Sequence, residues 1–163
     1  MDAGVLAAQA RDILARVVTE AAALDLDLPD RQYITVGGAT FDCEQVSVSA
    51  MSANTGLVQA TGEGLDLIGN CPPVWSAPFE VAIVLCANEK MEGTRGQLSP
   101  AVSGIEADAD KISAAVATIV NVAESLSGIN GPVRCEIQLG EPQGGLIAAV
   151  GTVTTNLWAT VEP

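Results

Sequence analysis

Asp42-Cys43-Glu44-Gln45 sets a thiol between two carboxylates, with an amide behind it, directly before the alternating run Val46 to Met51. Such a cluster could in principle supply a nucleophile and an acid. A cysteine attacks as its thiolate, and a nearby cation or base is what makes that form available. Here the flanking residues in sequence are anionic, which is expected to make the thiol a worse nucleophile. The chain contains no histidine. Cys–His and Ser–His pairs are therefore excluded, and the usual general base near neutral pH is missing. The cluster reads as the start of a strand. Its thiol packs, and its polar groups serve a turn or a neighbouring subunit.

Other stretches were weighed for chemistry and carry none. "GLIAAVG" has the wrong glycine spacing for a phosphate loop and lacks its Lys-Ser/Thr pair. "GEGLDLIGN" lacks the alternating oxygen ligands and the terminal glutamate of a calcium loop. "GTRGQ" reads as a solvated turn with one arginine. Cys43, Cys71, Cys86 and Cys135 form no CxxC pair, so zinc is not expected. Four cysteines permit two disulfides in three connectivities; in the cytoplasm they are expected as free, buried thiols. No catalytic, cofactor-binding or metal-binding residue is assigned. Trp75 and Trp158 are expected as core or interface anchors.

The elements that position these residues follow from periodicity. Val5 to Leu24 repeats apolar residues at steps of three and four, the mark of a helix with one buried face, and Pro29 is expected to end it. Gln32 to Val36 and Cys43 to Met51 read as strands, the second with one apolar and one polar face. Ser52 to Pro73 reads as a long loop. Val81 to Ala87 is apolar on both faces and is placed centrally in a sheet. Ser99-Pro100 is expected to open a helix reaching about Leu126, with Ile105, Ala109, Ile112, Val116, Ile119, Ala123 and Leu126 buried and its acids in the early turns. Val133 to Leu139 and Leu146 to about Val161 form a hairpin, the last strand bending near Gly151. The prediction is one α+β domain over 1–163, ordered α-β-β-β-α-β-β. It has a mainly antiparallel sheet of about five strands and both helices on one face.

Composition narrows the function. Of 163 residues, 20 are acidic and 7 basic, a net charge of −13. Tight binding to nucleic acid needs clustered Lys and Arg, and Arg11, Arg16, Arg31, Lys90, Arg95, Lys111 and Arg134 are scattered. An anionic membrane would repel this surface. No secretion signal and no uninterrupted apolar run of membrane-spanning length is visible, so synthesis and assembly in the cytoplasm are expected.

The order "DCEQVSV", "FEVAIVLC", a proline-led acidic helix, "VRCEIQL" and "QGGLIAAVGTVTTNL" resembles tail terminator proteins of siphophages infecting actinobacteria. The resemblance covers most of the chain from Gln32 onward, and order and spacing carry it. Family members often bear a tryptophan soon after the closing glycines. Here that place reads "LIAA", with Trp158 later.

The resemblance implies a virion structural protein without enzymatic activity. It would form a ring, usually a hexamer, at the head-proximal end of the tail tube, stopping tube polymerisation and meeting the head-side connector. Its partners would be further copies of itself, the tail tube protein and the connector or stopper. Genomic DNA would pass through the lumen without specific binding, repelled by its acidity. Ser52 to Pro73 and Asn88 to Ser99 are the expected contact loops. Two other readings stand beside this one: another neck protein, such as a tail-completion or stopper subunit, and a small ligand-binding α/β domain.

Overall fold

The computed structural model describes residues 4–39, 43–51, 54–55, 74–87, 91–92, 99–100, 102–131, 133–143 and 145–158. The expected contact loops, Cys71, Asp42 and the side chains of both tryptophans lie largely or wholly outside them. Helix α1 spans Gly4–Ala23, followed by strands β1 (Gln32–Val36), β2 (Gln45–Ala50), β3 (Asn54–Thr55) and β4 (Val74–Cys86). Two short strands, β5 (Met91–Glu92) and β6 (Ser99–Pro100), pair with each other before helix α2 (Val102–Asn130). Strands β7 (Arg134–Gln143) and β8 (Leu146–Trp158) complete the chain.

The sheet runs β1-β2-β4-β8-β7, with β3 also paired to β4. This is the predicted α+β fold, and β4 is central as its continuous apolar run required. All pairs in the sheet are antiparallel except β1 and β2, which are parallel, Gln32 opposite Val46 through Val36 opposite Ala50.

Both helices lie on one face. Ala10, Ile13 and Val17 of α1 and Ala115, Ile119, Val122 and Leu126 of α2 meet Val46, Val48, Phe79, Val81, Ile83, Ala149 and Val153 of the sheet in one cluster. At about 25 cal/mol per Å² of apolar area, such burial is the main force holding the layers together. Over Gly104–Asn130 α2 is long and apolar enough, by length and composition, to cross a membrane. Its buried stripe rests on the sheet, and its other side carries Glu106, Asp110 and Glu124 in exposed positions.

Several expectations need correction. α1 does not run on to the proline. It ends at Ala23, where Asp25 takes φ 52°, Leu26 N–H bonds to the Ala21 carbonyl and Asp25 N–H to the Ala22 carbonyl. That is a Schellman closure with Asp25 in the place usually given to glycine. Ser99-Pro100 is a strand, not a cap, so α2 begins two residues later and its first turn carries no acid.

The expected stripe on α2 holds from Ile112 to Leu126, with Ile112 and Val116 half-buried against the core, but not in the turns before it. Ile105 is 53% exposed and Ala109 is exposed, while Ala115, Thr118 and Val122 are buried. The last strand runs through Gly151 in continuous register with both neighbours. The glycine is there because α2 sits on it: a Cβ at that position would lie 2.5 Å from Ile119 Cγ2.

Candidate functional site

The acid–thiol cluster sits where β2 and β4 part. Their ladder begins at Gln45 opposite Val84, and one step further Cys43 would face Cys86. Ala87 N–H bonds to the Gly145 carbonyl at 2.7 Å. Cys86, the residue before, therefore turns its own N–H and C=O toward β2. Glu44 Oε1 accepts the Cys86 N–H at 2.8 Å, and Lys111 Nζ of α2 donates to the Cys86 carbonyl at 3.2 Å. One carboxylate and one ammonium thus complete the open end of the ladder. Lys111 also ties α2 to this corner.

The thiols around the cluster differ in setting. Arg31 Nη1 donates to Cys43 Sγ, and the same guanidinium lies over the Tyr33 ring, 5.4 Å from its centre. The Cys86 thiol is exposed; its hydrogen bond to Glu44, then slight desolvation and the charge of Glu44, push its pKa up, opposed weakly by Lys111. Cys135, half-buried on β7, is pushed up by burial. A raised thiol such as Cys86 is a poor nucleophile at neutral pH, while the Glu44 and Lys111 contacts close the end of the strand. An open cleft here is lined by Asp25, Asp27, Glu44, Leu85, Cys86 and Lys111. Among the described residues no group of three or more His, Cys, Asp or Glu is placed to hold a metal ion.

Gln45, Ser47 and Ser49 were expected on an open polar face of β2. All three are 0% exposed. They lie on the side of the sheet away from the helices, beside Ala82 and Val84 of β4, which are also buried. Among the described residues the Ser47 and Ser49 hydroxyls find no hydrogen-bond partner. Alternation alone identified two faces but not that both are closed at the sheet's centre.

No family model matches this chain, and no curated protein matches it either.

The remaining surface features lie at the sheet's margins. β1 and β7 are its two outer strands. Val36, at the end of β1, is 86% exposed and Leu139 on β7 is 61% exposed. Sequence reading predicts a mainly antiparallel sheet of about five strands. It did not say which strands would be outermost, because that depends on pairing between residues far apart in the chain.

Proposed function

We propose that this chain is a tail terminator subunit of a siphophage. On this reading it is a virion structural protein that closes into a ring on the head-proximal end of the tail tube, ends tube growth and meets the head-side connector. The observation that carries the reading is the order of the stretches Asp42 to Val48, Phe79 to Cys86, Pro100 to Leu126 and Gly144 to Leu157, which resembles that family. Two further features support it. The contacts at the acid–thiol corner close strand ends, and among the described residues neither sheet margin carries a further strand. A net charge of −13 suits a lumen that DNA crosses without adhering.

Native mass spectrometry of the purified chain is the first test, with a closed ring expected. Labelling virions with an antibody to the chain is the second, with signal at the head–tail junction. Adding the chain to polymerising tail tube protein should cap and shorten the tubes. A monomer carrying a bound metabolite, or virions without label, would overturn the assignment. Label on the head side of the junction, with no effect on tube length, would favour a stopper.

A further inference from the structure

The two margins of the sheet match each other. In an antiparallel pair, residues directly opposite exchange both main-chain bonds or neither, and the pattern alternates along each strand. Starting from the Ala87–Gly145 bond, odd-numbered residues of β4 face β8 and even-numbered ones face β2. The Met51 N–H bond to the Pro78 carbonyl agrees. Carried outward through β2, this alternation turns Val46 and Ala50 toward β1, as their bonds with Arg31 and Gly37 require. The main-chain groups of Gln32, Ile34 and Val36 therefore point away from the sheet. Carried the other way through β8, it leaves those of Cys135, Ile137 and Leu139 pointing away on β7.

Three conditions for joining these margins are met together. β1 and β7 run in opposite directions, since one parallel and three antiparallel steps separate them. On both strands the outward-pointing residues carry their side chains on the helix face, where Ile34, Cys135 and Ile137 touch the core. Joining them would thus keep every copy's helices on one side. "QYITV" and the regularly paired part of β7, "RCEIQLG", hold no lysine or proline; Pro142 and the irregularity at Gly140–Gln143 blunt only the far end of β7.

We propose that β7 of one copy pairs antiparallel with β1 of the next, Ile34 opposite Ile137, so that the sheet continues from subunit to subunit. Only this face-preserving register sets all five β1 residues within Arg134–Gly140. A shift of two residues one way runs past the start of β7, and the other way it meets the irregularity at Gly140–Gln143. It covers exposed Val36 with Cys135 and brings Leu139 beside Gln32 and Ile34. The contact is heterologous, the kind that builds rings. The inference rests on the ring reading above and names the surfaces that make the ring.

Opposed residues at such a site lie about 5.5 Å apart, within reach of a disulfide. Val36→Cys, treated with diamide, should therefore form covalent multimers on a non-reducing gel, and adding Cys135→Ser should abolish them. Leu139→Pro, at an exposed residue, removes an outward N–H with little change to the core, so it should keep the native circular dichroism spectrum and lose the ring. A ring of unchanged mass with no bond between positions 36 and 135 would overturn the edge pairing and leave the ring reading standing. A wild-type chain that stays monomeric at high concentration would overturn both.

Discussion

Glu44 works at the scale of a single side chain. Its carboxylate takes the N–H that a neighbouring strand would otherwise receive, and the same carboxylate raises the thiol of Cys86. Glu44→Gln keeps an acceptor and discards the charge. Because the hydrogen bond to Glu44 and the charge of Glu44 both raise this pKa, weakening them should lower it. Alkylation of Cys86 by iodoacetamide at pH 8, followed by peptide mass spectrometry, should then be faster in the variant. A slower or equal rate would mean that the side chain does not govern the thiol. Ser47 poses the reverse case. Its hydroxyl is fully buried and meets no partner among the described residues, a desolvation cost with no bond in return. Ser47→Ala should leave stability unchanged or raise it by up to about 1 kcal/mol, read as an upward shift in Tm. A loss of more than that would mean the hydroxyl is bonded in solution.

Elements show where local pattern suffices and where it fails. β1 has the expected bounds, and β4 is central because an all-apolar run fits only a strand covered on both sides. Val84, 1% exposed, tests that placement. Val84→Asp would bury a lone carboxylate at a cost of several kcal/mol, so the variant should be recovered unfolded or insoluble. The parallel pairing of β1 and β2 was not legible, since strand direction is set by how the chain returns through residues 37–44 rather than by either strand's own pattern. The early turns of α2 were misphased for a related reason. Ile105 and Ala109 fit an apolar stripe, but the sheet is met only where Ala115, Ile119 and Val122 face it. The role of Lys111 at the Cys86 carbonyl was likewise hidden, because its partner lies on another element.

Gly151 shows the same limit most sharply, for a strand glycine can mean a bend or a close approach. Here it is the approach of Ile119. Gly151→Ala should destabilise by about 1–3 kcal/mol through overpacking. The penalty should shrink when Ile119→Ala removes the opposing methyl, a coupling that a double-mutant cycle in urea would read. Additive effects would place the helix elsewhere.

At the scale of the whole molecule, charge opposes the association that the sheet margins favour. Each copy carries −13, and the proposed ring would bring several such copies close together. Their mutual repulsion is long-ranged at low ionic strength and is screened beyond about 10 Å at 0.1 M salt. The proposed junction is mainly main-chain hydrogen bonds flanked by Ile34, Val36, Cys135, Ile137 and Leu139, none of which weakens with salt. The ion pairs seen at the surface, Arg16 with Asp12 and Arg134 with Glu136, are exposed or partly so, each lies within one copy, and such pairs contribute little. Screening should therefore remove repulsion while leaving the attraction intact. Raising sodium chloride from about 20 mM to 0.5 M, across which the screening length falls several-fold, should shift the population from monomer to ring in sedimentation velocity. The shift should saturate once the screening length is shorter than the spacing of the acidic faces. Dissociation by salt would instead mean that ion pairs between copies hold the assembly, and that the margins of the sheet are not its seam.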